Sequence, residues 1–353
     1  MRAAGAALRM TRPCSAPRGA PRQRSGRGGL LAASAVLAAA CLLSGCDGHL
    51  SALAPAGSAA AQISSLFKVM AGVAALVWAL VVTAAIFAAR STPGNKSVRA
   101  GQRMIVLGGI LLPLVLLGAL SWSGLRQTND LLAAGDGLVI HVTGERWWWR
   151  VRYESPSAPT VVAANEIRLP VGERVEFALA STDVIHSFWI PSLGGKMDMI
   201  PGRINRLVLE AGEAGTFRGA CAEFCGLAHT FMEFDVVVME PPAFDAWLSR
   251  QATEARAPST PLAERGQDLF LRNGCGACHR IAGTPATGRI GPDLTHVGSR
   301  LSIAAGTLPT GIKPIAGWIA HPDGVKSGAL MPPYSMLGPD ELTAIATYLE
   351  GLE

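Results

Sequence analysis

The stretch CAEFCGLAHTFM, residues 221–232, places two cysteines, a histidine and a methionine at spacings of four, four and three. Thiolates, a thioether and an imidazole together select copper, zinc or iron over harder divalent ions. Cys221, Cys225, His229 and Met232 alone could hold one mononuclear copper. His186, in STDVIHSFWIPSLG, changes the count. Two thiolates able to bridge, one imidazole for each metal and weak axial donors make up a dinuclear site.

Downstream lies a second sulfur-and-imidazole cluster, CGACH at 275–279. Two thiols three positions apart, followed at once by histidine, read as a c-type haem attachment. Cys275 and Cys278 would add to the two vinyl groups, and His279 would bind the iron. A redox pair or half a zinc site is the competing reading, but the chain holds no second CxxC. A sixth iron ligand should follow: Met331 in GALMPPY, with Met336, His296 and His321 as rivals. A methionine opposite histidine raises the reduction potential.

The beginning of the chain carries a different message. Seven arginines fall within residues 1–29, ahead of the apolar run LLAASAVLAAACLL and SGC at 44–46. A basic start, an apolar middle and small residues at the end form an export signal over 1–45. LSGC resembles a bacterial lipoprotein box, which would leave Cys46 acylated at the mature N-terminus. Losing that signal takes the net charge from +5 to about −2. Beyond residue 125, 25 acidic residues outnumber 19 basic ones. That balance argues against nucleic acid and suits a basic protein partner drawn in by electrostatic steering. Cys14 and Cys41 leave with the signal, so no cysteine remains for the structural disulfide that export would normally favour.

Val69 to Ala89 and Met104 to Leu125 are runs of 21 and 22 residues without a charge, each long enough to cross a bilayer. The loop between them, residues 90–103, carries four basic residues and no acid, which places it on the cytoplasmic side. The reading is therefore an N-terminal segment and transmembrane hairpin over 46–130, with helices at about 66–89 and 104–125. Residues 131–242 show short β-rich runs separated by turn residues, the pattern of a sandwich or barrel. Residues 243–262 read as a Pro/Ser/Thr/Ala linker after one helical turn. Residues 263–353 read as helices around loops.

The dinuclear donor set closely resembles the CuA site of cytochrome c oxidase subunit II, over residues 63–240. TDVIHSFWIPSLGGKMDMIPGR and CAEFCGLAHTFM are the most specific parts of the match. The resemblance implies a cupredoxin-like Greek-key β-sandwich. It implies copper on His186, Cys221, Cys225, His229 and Met232, and on the Glu223 backbone carbonyl. The Glu223 carboxylate would face a magnesium site shared with subunit I. Trp147, in GERWWWRVRY, aligns with the exposed tryptophan through which that family receives electrons, while Trp148 and Trp149 read as core. The MPP sequence after Met331 and GPDL at 291–294 resemble the all-α class I cytochromes c. In that family Pro292 would lie against the haem ligand and Trp318 could cover a propionate.

The combination is similar to subunit II of caa-type oxidases, in which a cytochrome c domain follows the CuA domain. It implies electron flow from a soluble cytochrome c or similar donor, through haem c and CuA, to the haem–copper site of subunit I. Subunits I and III would be partners in the bacterial cytoplasmic membrane, with both redox domains on its outer face. Oxygen would be reduced to water and protons pumped. A nitric oxide reductase subunit, or a free membrane-tethered carrier, is the alternative. One departure stands out: near Met104 and Val106 the family's channel-mouth glutamate has no counterpart.

Overall fold

The computed structural model describes residues 48, 50–90, 98–132, 137–155 and 158–353. The expected export signal and Cys46 lie outside the described residues, as do residues 91–97 of the basic loop. Helix α1 spans Ser58–Arg90. Helix α2, Val98–Val106, passes through a π turn at Leu107–Leu111 into α3, Leu112–Leu132. Both helical runs are long and apolar enough to cross a membrane, and both extend beyond their uncharged stretches. Phe67, Trp78, Leu114 and Trp122 stand exposed on them, as lipid contact requires.

The top of α1 is fastened to the next domain by main-chain bonds. The Ala56 and Gly57 amides donate to the Ser192 carbonyl at 2.7 and 3.1 Å, and the Ala60 amide to Leu193 at 3.1 Å. The Gly212 amide returns a bond to the Ala56 carbonyl at 2.7 Å. Ala59, Ala60 and Ser64 are buried there.

Ten strands follow: β1 Val139–Glu145, β2 Trp148–Ser155, β3 Ala158–Ala164, β4 Glu166–Pro170, β5 Arg174–Ser181, β6 His186–Trp189, β7 Met197–Met199, β8 Asn205–Glu210, β9 Gly215–Cys221 and β10 Glu233–Met239. They form two five-stranded sheets, β3-β2-β1-β5-β8 and β4-β10-β9-β6-β7. Most pairs are antiparallel, but β1 runs parallel to β5 and β4 parallel to β10. This is a cupredoxin-like Greek-key sandwich. Alternating apolar residues such as Ile140 and Val142 fill the space between the sheets, as the period of two dictates. At the centre Phe188 stacks on Phe234 at 5.0 Å, and Trp149 meets Phe234 edge-on at 5.2 Å.

Two corrections arise here. Trp148, expected in the core, is half-exposed and carries the Arg150 guanidinium 4.7 Å over its ring; the strand's pleat lets Trp149 alone face inward. The expected linker 243–262 opens with helix α4, Pro241–Gln251. Its Phe244, Trp247 and Leu248 are buried, with Trp247 against Tyr153 at 5.2 Å. Those three residues have the i, i+3, i+4 spacing of a helix face, which the surrounding Pro and Ala composition obscured.

The C-terminal domain is helical: α5 Pro261–Arg272, α6 Ile312–Ala320, α7 Pro322–Val325 and α8 Pro339–Glu350, with a small hairpin of β11 Ser302–Ile303 and β12 Leu308–Pro309. Thr260 caps α5, its hydroxyl accepting from the Ala263 amide. Helices α5 and α8 cross at Gly266, where a β-carbon would strike the Ala344 carbonyl. Ile345 and Leu349 of α8 are buried, as its helical pattern predicts. The two domains are bonded to each other directly. The Arg150 Nη2 donates to the Arg289 carbonyl at 2.9 Å, and the Leu301 amide to Glu166 at 2.7 Å. Arg218 reaches the Gly306 carbonyl, and the Glu233 amide donates to Ala305 at 3.1 Å.

Candidate metal and haem centres

The copper donors lie where strands meet a loop. Cys221 ends β9, His186 begins β6, and the β6–β9 pairing sets Phe188 opposite Cys221. The chain then loops through Cys225 and a short 3₁₀ turn, His229–Phe231, and re-enters the sheet just after Met232. The two sulfurs are 3.8 Å apart. Cys221 Sγ lies 3.8 Å from His186 Nδ1 and 3.2 Å from the Glu223 carbonyl oxygen. Cys225 Sγ lies 3.5 Å from His229 Nδ1 and 3.9 Å from Met232 Sδ. His186, Cys221, Cys225 and Met232 are buried, whereas the Glu223 side chain is exposed.

Each sulfur therefore has its own imidazole and its own weak donor. Contact with Cys225 drives Cys221 far towards thiolate, while the same contact pushes Cys225 up. Two such sulfurs in one buried site compete for a single proton, a conflict that cations between them would remove. The donor set fits a copper pair.

Asp183 was not singled out from the sequence, although it lies only three residues before His186. Its carboxylate is 2.9 Å from His186 Nε2 and accepts from the Arg146 and Val184 amides at 2.8 and 2.7 Å. Against the desolvation of partial burial, these bonds hold Asp183 below the usual carboxylate range. The bond fixes the ring with Nδ1 facing the sulfurs, the outer-shell arrangement that orients metal-binding histidines.

Trp147 departs from expectation. It is 8 % exposed, not open to solvent. Its Nε1 donates to the Cys225 carbonyl at 2.9 Å, and residues of the helical domain cover it.

In that domain α5 leads through Gly274 into a 3₁₀ turn at Cys275–Ala277, which presents CGACH. His279 Nδ1 donates to the Pro292 carbonyl at 2.8 Å, leaving Nε2 free as a ligand atom. Desolvation lowers the histidine's pKa and keeps the ring neutral, the form that binds metal. Gly291 lets the chain pass this close, since a β-carbon there would strike the imidazole. Met331, like Cys275, Leu294 and Trp318, is half-buried against the domain core, while Met336 is 75 % exposed. His296 is buried with its two ring nitrogens 3.2 Å from the Glu353 and Thr253 carbonyls, and His321 is exposed. The sulfur, imidazole and apolar residues present fit a covalently attached haem.

Comparison with known proteins agrees with both halves. Residues 157–240 match the family model described as cytochrome C oxidase subunit II, periplasmic domain, and residues 263–353 match that for cytochrome c. Cytochrome c oxidase subunit 2 of Alkalihalophilus pseudofirmus is 35 % identical over 327 residues, covering 88 % of this chain and 94 % of that one. The Bacillus subtilis protein of the same name is 30 % identical over 342 residues, again covering 88 % and 94 %. Among solved structures, the periplasmic domain of subunit II of cytochrome oxidase from Bradyrhizobium japonicum is 31 % identical. It covers 34 % of this chain and 96 % of that one, with a TM-score of 0.32.

Proposed function

The chain belongs to the cytochrome c oxidase subunit II family, and from that premise we propose that it carries electrons from a soluble cytochrome c or similar donor through haem c to CuA and on to the haem–copper site of subunit I. Both groups, when bound, move one electron at a time without binding substrate. The enzyme is cytochrome-c oxidase, and a subunit II implies further oxidase subunits. The observation that carries the reading is the convergence of His186, His229, Met232 and the Glu223 carbonyl on two sulfurs 3.8 Å apart, in a sandwich hydrogen-bonded to the domain bearing CGACH.

His186, Cys221, Cys225, His229, Met232 and the Glu223 carbonyl would hold the copper pair. Cys275 and Cys278 would attach the haem, with His279 and Met331 as axial ligands. Met331 is preferred because it packs at the domain core, whereas Met336 stands in solvent. Trp147 would lie on the path into CuA. The exposed Glu223 carboxylate is assigned to a magnesium site at the subunit I boundary. The basic loop between the helices would face the cytoplasm across a bacterial inner membrane, and Cys46 would be the lipidated mature N-terminus.

The test follows the two centres separately by stopped flow in the purified complex, with reduced cytochrome c as donor. Haem c should be reduced before CuA, and oxygen consumed. Trp147→Gln should slow the second step several-fold and leave the first unchanged. Normal haem-to-copper transfer in a copper-replete Trp147→Gln protein would remove Trp147 from the path.

A further inference from the structure

The segment KSGALM, residues 326–331, leaves the helical domain as a loop and crosses to the sandwich. Lys326 is only 3 % exposed. Its ammonium donates to the Trp147 carbonyl of the other domain and, at 3.2 Å, to the Ala304 carbonyl of its own. Gly328, at φ +81°, lies against the Trp147 indole: a β-carbon there would stand 3.1 Å from the ring and 3.2 Å from Leu227 of the copper loop. Met331 follows three residues later. Trp147 thus touches the copper loop through its Nε1 bond to Cys225 and the methionine loop through Lys326 and Gly328.

We propose that Lys326 is a positioning residue that holds the Met331 loop of the helical domain against Trp147, fixing one docked geometry for electron transfer and closing Trp147 to outside donors. The proposal rests on the reading above that Met331 and Cys225 serve the haem and the copper pair. Its physical basis is the cost of the arrangement. A buried ammonium is expensive even with the Trp147 and Ala304 carbonyls as its hydrogen-bond acceptors. An apolar side chain of similar length would pack there at lower cost. What the charge adds is direction, because an ammonium demands acceptors at fixed points and one of those points is the Trp147 backbone. The domains do not depend on it for cohesion. Arg150, Arg168 and Arg218 each reach carbonyls of the helical domain independently. Losing Lys326 should therefore loosen the loop without parting the domains.

The experiment uses the purified complex carrying Lys326→Met, with haem and copper contents measured first. Haem-to-copper transfer should slow several-fold while donor-to-haem transfer stays normal. Hydrogen exchange should rise in the peptides covering residues 145–150 and 326–331 and nowhere else. A small soluble reductant should reach the copper pair directly, faster than in the parent. Unchanged transfer and unchanged exchange in a fully loaded Lys326→Met complex would overturn the proposal. Should that variant lose either cofactor, Gly328→Ala decides in its place, since it strains the same contact and leaves the lysine intact. A parent complex that shows no haem-to-copper transfer at all would instead overturn the functional reading on which this one rests.

Discussion

The two centres sit in one chain but are made in opposite ways. Around Cys221 and Cys225 the other donors stand within 3.2–3.9 Å of a sulfur, and His186 on β6, Cys221 on β9, Cys225 on the loop and Met232 just before β10 are all buried. Around CGACH the cysteines and His279 are half-buried, on a 3₁₀ turn and the loop after it. The difference follows from the size of the guest. A metal pair has no surface to pack against, so the protein must supply all the rigidity. A haem would bring a large apolar face of its own, and Leu294, Trp318 and Met331 are half-buried against the helical core. The first site is held by the sandwich on buried residues, whereas the second presents its sulfurs and imidazole from a turn and a loop.

This contrast can be broken most severely at the sulfurs. Cys221→Ser should abolish the coupled two-copper signal in electron paramagnetic resonance and reduce oxidase turnover to background, while the covalent haem remains. A preserved two-copper spectrum would show that Cys221 is not a bridging ligand. The corresponding change on the other side should be gentler. Met331→Ala should keep the haem covalently attached, remove its weak thioether-to-iron absorption band and lower its potential, with copper content unchanged. Met336→Ala should do none of this.

The next effect is smaller and sharpens the claim that the sandwich holds the first site. Asp183→Asn weakens the bond that orients His186, so copper affinity should drop by about ten- to hundredfold, read by competition with a chelator. Copper affinity unchanged by this variant would mean that the strands alone orient the ring. The smallest effect belongs to the scaffold. The Tyr153 hydroxyl accepts from the Arg168 amide at 2.7 Å. Tyr153→Phe should cost about 1–2 kcal/mol, seen as a lower Tm with both cofactors retained.

The sequence showed the chemistry of both centres because soft ligands at short spacing have few other uses. His186, 35 residues before Cys221, entered as the second imidazole that a dinuclear site needs. Two strands are weakly marked in the sequence: β3, made largely of small residues, and β7, only three residues long. The interface between the domains was illegible for a different reason. Its bonds run largely to backbone carbonyls, as with Arg150, Arg218 and Lys326, and a carbonyl acceptor leaves no mark on residue identity. The resemblance implied an exposed Trp147, and nothing in the turn that carries it reveals that a distant loop covers it. Nothing in the sequence marks Lys326, because lysine is a residue type that is usually exposed.

The main-chain bonds at the head of α1 carry one last implication. Mechanically the junction is a clamp and not a swivel, because Ala56, Gly57 and Ala60 are all bonded to the sandwich. Inserting a single residue into α1 just beyond Ser64 would turn everything above it by roughly 100° and lift it by about 1.5 Å. The length of that helix is therefore a setting of compass bearing as much as of height.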